Sequence, residues 1–196
     1  MAKIKAAING TKKDAILKKA ASLFRAKGFK ASSMRELALK IGIEAPSLYN
    51  HIGGKSELLQ EICFKVAGDF NNQLAELEAS PDSVVSQLEQ LIRFHIAMMM
   101  ESFDEVYVSN HEWKYLEEPM LTDFLQQRKQ YETRMVQLLN KGISNKELKN
   151  VHPQVAVLTI LSAVRGLEFW QRYKKEIDAD VLAFNMVNHL LTGLRK

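Results

Sequence analysis

The chain has 196 residues, 46% of them hydrophobic and 26% charged, with a formal net charge of +4. That is enough apolar material for one small and one larger helical unit, while the uninterrupted apolar runs are only a few residues long, which excludes a membrane-spanning helix. Its one cysteine, Cys63, excludes an intramolecular disulfide and suits a reducing, cytoplasmic setting.

The opening stretch, MAKIKAAINGTKKD, is basic and lacks the apolar core of a secretion signal. It reads as a flexible arm. Thr11 caps a first helix, with Asp14 three residues on as a short capping-box partner. Ile16, Ala20, Leu23 and Phe24 share the inner face, Gly28 ends the helix and Phe29 packs back. A second helix opens on Ser33-Met34-Arg35-Glu36, which has the form of a capping box. Leu37, Ala38 and Ile41 make its apolar stripe. Gly42 follows where a helix end needs a left-handed residue. A third helix starts near Ala45 with Pro46 in its first turn, where the missing N–H costs nothing. Leu48 and Ile52 face inward, which leaves Pro46, Ser47, Tyr49, Asn50 and His51 on the outer side.

A small residue at the crossing (Ala38), a glycine at the turn (Gly42) and a leucine plug (Leu48) are the signature of a helix-turn-helix, whose second helix enters a DNA major groove. An ordinary helical hairpin is the alternative on this pattern alone. The charge distribution favours the first. Residues 1–60 hold 12 Lys/Arg and 4 Asp/Glu, a net of +8, whereas residues 61–196 hold 15 and 19, a net of −4. A basic segment that coincides with the helix-turn-helix is the electrostatic footprint of phosphate docking.

A fourth helix begins near Lys55 and runs through Leu58, Leu59, Ile62, Val66 and Phe70 toward Glu78. The domain boundary is expected inside it, giving units 1–60 and 61–196. Ser80 and Pro81 read as the cap and first residue of the next helix, whose stripe is Val84, Leu88, Leu91, Ile92, His95, Ile96 and Met99. Asp104 caps a helix to about Leu116. Glu118-Pro119 opens a long one ending at Lys141-Gly142, with Phe124, Arg128, Tyr131, Met135, Leu138 and Leu139 inward. Residues 143–152 read as a polar connection. Pro153 opens a helix to about Tyr173, and Asp178 or Asp180 opens the last, with Val181, Phe184, Val187 and Leu191 on one face. No β-alternation competes with this, so the fold class is all-α.

Catalytic patterns fail on inspection. His111-Glu112-Trp113-Lys114-Tyr115 starts like a zinc-protease motif but ends in Tyr, so the second ligand is missing. No histidine has Glu three residues before it, as a di-iron bundle needs. No phosphate-cradling glycine loop or nucleophile elbow occurs. No enzyme, metal or cofactor is expected. The larger unit is instead rich in soft and aromatic side chains. His95, Met99, Phe103, His111, Trp113 and Phe124, with Tyr131 and Phe169, could line an adaptable apolar pocket with polar handles. Arg128 and Arg165, charged residues within apolar helices, could anchor a polar ligand group. Plain core accounts for most of this set equally well. The last two helices carry apolar residues on more than one face: Val157, Leu158, Ile160, Leu161 and Val164, then Leu182, Met186, Leu190 and Leu191. One face packs on the domain, and the other suits a four-helix interface with a second copy.

Gly28-Phe29, Ser32 through Ala38, Gly42-Ile43, Leu48-Tyr49-Asn50-His51-Ile52, Lys55 and Leu58 together resemble the DNA-binding domain of the TetR (tetracycline-repressor) family, without a gap from about Thr11 to Leu59. The resemblance implies a homodimer with an inducer site in the larger domain. It implies that Lys13, Ser33, Arg35, Tyr49, His51 and Lys55 hold the DNA backbone, while Pro46, Ser47 and Asn50 meet base edges, Asn50 being suited to adenine. Two departures stand out. Gly53-Gly54 replaces the usual Pro-Ser type of cap, so the angle between the fourth helix and the reading helix is expected to be less fixed. Glu44 stands where a Ser or Thr cap is commoner, and a carboxylate there can still cap and suits the positive helix end. Farther on, Trp113, Gly166-Leu167-Glu168-Phe169-Trp170 with Tyr173, and Thr192-Gly193-Leu194 resemble the branch that senses acyl-coenzyme A thioesters. That resemblance implies methionines against an acyl chain, and Arg128 or Arg165 on the coenzyme's phosphates.

The expectation is a cytoplasmic, all-α, homodimeric repressor. An N-terminal three-helix DNA-binding domain would precede a helical bundle for ligand binding and dimerisation. A small apolar or acyl-CoA-like effector would release it from a palindromic operator. An activator or ligand-independent DNA-binding protein is the alternative, and a helical enzyme or carrier a remote one.

Overall fold

A computed structural model describes residues 12–50, 52–172 and 177–195. Every regular element among them is a helix: α1 Lys12–Lys27, α2 Met34–Ile41, α3 Ala45–Tyr49, α4 Lys55–Ala79, α5 Val84–Glu101, α6 Phe103–His111, α7 Met120–Ser144, α8 Pro153–Arg165 and α9 Ala179–Thr192, with 3-10 segments at Trp113–Tyr115 and Gly166–Arg172. Among the described residues no helix is long and apolar enough to cross a membrane.

The chain forms two compact units. The first joins residues 1–66 with 104–124, and the second joins 67–103 with 125–196. Sequence order does not show that α6 and its 3-10 turn belong with the first three helices. Their packing does, as set out below.

In the first unit α2 packs on both α1 and α3. Ala20, Ala21, Phe24, Leu37, Ala38, Leu48, Ile52, Leu58 and Leu59 are almost wholly buried, a core built from all four helices. The capping box on α2 is present in full: Ser33 Oγ accepts from the Glu36 N–H while the Glu36 side chain accepts from the Ser33 N–H. Gly42 takes the left-handed conformation at φ 83°, where a Cβ would be strained, and closes α2 on the carbonyls of Ala38 and Leu39. Glu44 occupies the N-cap of α3 but its side chain makes no cap bond, so only Pro46 marks that start. Thr11, the expected cap of α1, lies outside the described residues.

In the second unit α5 is the central helix, with α8 and α9 both packed on it. Helix boundaries differ from expectation at the start of α5 and the ends of α7 and α8. Ser83, not Ser80, caps α5 by accepting from the Ser86 N–H; the Ser80 hydroxyl accepts from the Asp82 N–H and closes a turn before the helix begins. Gly142 does not end α7. It lies buried inside the helix, where a Cβ would come within 2.7 Å of Leu148 Cδ1 and Val84 Cγ1, so it permits close packing. The left-handed turn after α7 falls to Lys146 at φ 62°. Leu148 then buries itself, and the Lys149 N–H bonds the Leu194 carbonyl at 2.7 Å, so the expected polar connection is anchored to the end of α9. Finally, α8 gives way to a 3-10 segment at Gly166. Asp178 caps α9 by accepting from Asp180 and Val181.

Candidate nucleic-acid interface and effector region

Helix α3 is short and held by one plug. Leu48 is fully buried and Ile52 nearly so. Pro46, Ser47, Tyr49 and Asn50 are all exposed, Tyr49 to 52%. With Leu48 turned inward, these side chains form an exposed polar-aromatic surface on one short helix. Asn50 is the C-cap residue of α3 and stays right-handed at φ −69°. His51 lies outside the described residues.

The expected backbone-contacting residues divide into free and engaged. Arg35 is exposed on α2. The Ser33 hydroxyl is committed to the capping box, and Glu36 is further held by Lys27 across the α1–α2 turn. The bond from Lys27, then that from Ser33, lowers the Glu36 carboxyl below its usual range. Lys13 pairs with Glu61 on α4, and that bond raises its ammonium above the usual value. Lys55 is turned inward. Its Nζ donates to the carbonyls of Phe29 (2.8 Å), Ser32 (2.9 Å) and Lys30 (3.3 Å), and sits 4.5 Å from the Phe29 ring centroid. The Gly53-Gly54 turn is not left loose: the Glu57 carboxylate accepts from the Gly53 N–H at 2.7 Å.

Phe29 is the node that joins α6 to this unit. Its ring meets Phe24 edge-on at 5.3 Å and stacks on Tyr115 at 5.7 Å. Its N–H donates to Glu112 at 3.0 Å, and Arg25 pairs with Asp104 at the other end of α6. Lys30 lies over the Tyr115 ring, 5.0 Å from its centroid. Glu105, partly buried on α6, has its carboxyl raised chiefly by desolvation. This node is not legible in the sequence. Tyr115 and Glu112 lie more than eighty residues along the chain from Phe29, so no spacing reveals the contact.

The expected effector residues are drawn from both units. His111, Trp113 and Phe124 belong to the first unit, where His111 lies against Tyr107 (4.3 Å) and the buried Phe124 against Phe64 (5.9 Å). His95, Met99, Phe103, Arg128, Tyr131, Arg165 and Phe169 belong to the second. There His95 and Tyr131 are both buried and share a 2.7 Å hydrogen bond between Nε2 and the hydroxyl. Phe70 stacks on the imidazole at 4.4 Å. Burial, and secondarily the Arg165 charge, pushes the His95 pKa down to about 3, so the ring is neutral at ordinary pH. Burial pushes the Tyr131 hydroxyl up, so it keeps its proton. Two groups held neutral and bonded to each other form a buried polar pair among aromatic rings. Met99 is buried, Phe103 and Arg128 are half-buried, and Arg165 is exposed. Phe169 is 62% exposed.

Phe169 is one of several exposed large apolar residues of this unit. Val155 (57%) and Leu158 (64%) on α8, and Val181 (54%) and Phe184 (59%) on α9, are uncovered. The opposite sides of the same helices are buried through Val157, Ile160, Leu161 and Val164, and through Val187 and Leu191. Val181, Phe184, Val187 and Leu191 share one side of α9 by spacing, but only Val187 and Leu191, in its C-terminal half, are buried.

Two family models match the chain. Residues 16–62 match the bacterial regulatory proteins of the tetR family, and residues 81–194 match the tetracyclin repressor-like C-terminal domain. The transcriptional repressor KstR2 of Mycolicibacterium smegmatis is 28% identical over 144 residues, 69% of this chain and 66% of that protein. The chain therefore spans just under two thirds of that relative's length. Among solved structures, the ketosteroid transcriptional regulator KstR2 of Mycobacterium tuberculosis superposes with a TM-score of 0.87 at 20% identity, over 96% of this chain and 97% of that one. The regulator AibR, solved with isovaleryl coenzyme A and operator DNA, superposes with a TM-score of 0.79 at 23% identity, over 91% and 97%.

Proposed function

Because this chain belongs to the tetR family of bacterial regulatory proteins, we propose that it is a homodimeric repressor that leaves a palindromic operator when a small effector binds. The observation that carries the reading is the outward face of α3: Pro46, Ser47, Tyr49 and Asn50 exposed around a buried Leu48. In this reading Pro46, Ser47 and Asn50 meet base edges, and Arg35 and Tyr49 hold the backbone. Ser33 and Lys13 support the same face from within their own pairings. Residues 1–60 recognise DNA, and 61–196 bind effector and pair the subunits.

The pairing surface is the apolar set on α8, α9 and the segment between them, which suits an isologous four-helix contact. Twofold pairing presents two copies of α3 to half-sites about one DNA turn, roughly 34–36 Å, or a multiple of it apart. Effector binds in the second unit near the His95–Tyr131 handle and shifts the population toward a state that no longer fits the operator. The effector class is an apolar acid carried as its coenzyme A thioester. Support comes from the aromatic and methionine-rich interior and from AibR, a structural neighbour that binds such a thioester. Cytoplasmic location follows from the same role.

The test is selection of duplex sequences from a random pool, followed by titration of acyl-CoA thioesters into the selected complex. An inverted repeat bound by a dimer and released by one acyl class supports the reading. Binding that no thioester disturbs removes the effector class, and enrichment of no duplex removes the repressor.

A further inference from the structure

We infer that Lys55 is a positioning residue for DNA reading: its ammonium ties the first turn of α4 to the turn that leads into α2, instead of binding a phosphate, and so sets the angle at which α3 is presented. The inference rests on the DNA-binding reading and departs from what the family resemblance implies for this lysine.

An ammonium has three protons. Those of Lys55 face three main-chain carbonyls, Phe29 at 2.8 Å, Ser32 at 2.9 Å and Lys30 at 3.3 Å. These carbonyls follow the C-terminal end of α1, where a cation is favoured. The Phe29 ring, 4.5 Å away, covers one side of the charge. A phosphate could take a proton only by baring carbonyls that are already part-buried. The site is thus filled from within.

Its position makes the bond consequential. Lys55 is the first residue of α4, and Ser33, the cap of α2, follows directly on the carbonyls it holds. Two residues farther along, Glu57 holds the Gly53 N–H, in the segment that leaves α3. One turn of α4 therefore grips the chain just before α2 and just after α3. Gly53-Gly54 supplies no side-chain cap for α4, and these two charged side chains do the fixing that a cap would do. Lys27, paired with Glu36, ties the end of α1 to α2 in the same region.

Two measurements separate a clamp from a phosphate contact. The first is reductive methylation of the full chain without DNA, read by peptide mass. Lys55 should label at least about tenfold more slowly than the exposed Lys129 and Lys146. The second is the salt dependence of operator affinity for Lys55→Gln and Lys55→Arg. Both should bind on the order of tenfold more weakly at every salt concentration, with the slope of wild type, because no counterion-releasing contact is lost. Arginine should not rescue, since its planar fork does not match three converging carbonyls. The clamp is overturned if Lys55 labels as fast as Lys129. It is equally overturned if Lys55→Gln flattens the slope by about 0.9 per contact, roughly 2 per dimer, and arginine restores it. If wild type binds no duplex, the repressor reading fails, and the labelling still decides the clamp.

Discussion

Helices α3 and α9 each expose side chains that the core does not use, and the two exposed sets are chemically opposite. In α3 one leucine is buried, and proline, serine, tyrosine and asparagine face out. In α9, and likewise in α8 of the second unit, the exposed set is apolar: Val181 and Phe184 on one, Val155 and Leu158 on the other. A short polar surface costs little to leave in water and can meet a polar, charged polymer reversibly. An apolar surface of that kind is stable only when covered. The difference separates a face made for exchange from a face made for lasting contact, within one chain and with one type of secondary structure.

The comparison can be broken most forcefully at the apolar face. Leu158→Asp with Phe184→Asp should convert the dimer to monomer in sedimentation, while circular dichroism stays helical. Operator affinity should then fall on the order of a hundredfold or more, since the second head no longer binds in cis. A double variant that remains dimeric would assign that face another occupant. At α3 the buried and exposed residues should separate cleanly. Leu48→Ala should lower unfolding stability by about 2–5 kcal/mol, whereas Tyr49→Ala should change it by less than about 0.5 kcal/mol and weaken binding to all duplexes alike. Equal thermal shifts would erase the distinction between plug and reading face.

A smaller effect tests the interior of the second unit. His95 is neutral in the fold, with its pKa pushed down to about 3 by burial and the Arg165 charge. Below the ordinary imidazole value the unfolded chain binds a proton that the folded chain refuses. Stability therefore holds above about pH 6.5 and falls as pH drops, by up to about 1.4 kcal/mol per unit. Melting curves between about pH 6.5 and 5, above the range where most carboxylates titrate, should show this slope, and His95→Asn should flatten it. A slope that survives that substitution places the titration elsewhere.

What was legible in the sequence follows how local the physics is. Ser33 with Glu36, Gly42 and Pro46 act within one or two turns, and the chain order alone locates them. Non-local facts stayed hidden. That Gly142 serves the packing of Leu148 and Val84, and does not end a helix, depends on residues far along the chain. Glu112 reaching Phe29, and Asp104 reaching Arg25, joined α6 to the first unit in a way no spacing reveals. His95 and Tyr131 do meet, but Phe169 is on the surface, because helical periodicity gives the side of a helix and not what covers it.

The central claim is that α3 reads base pairs through its free face, and Asn50 tests it most directly. Wild type and Asn50→Ala should be titrated against the selected operator and against every single-base variant of it. The account requires a loss of about 1–3 kcal/mol on the wild-type site, with discrimination relaxed at one base pair in each half-site and nowhere else. An Asn50→Ala chain that keeps the full sequence preference of wild type would contradict it.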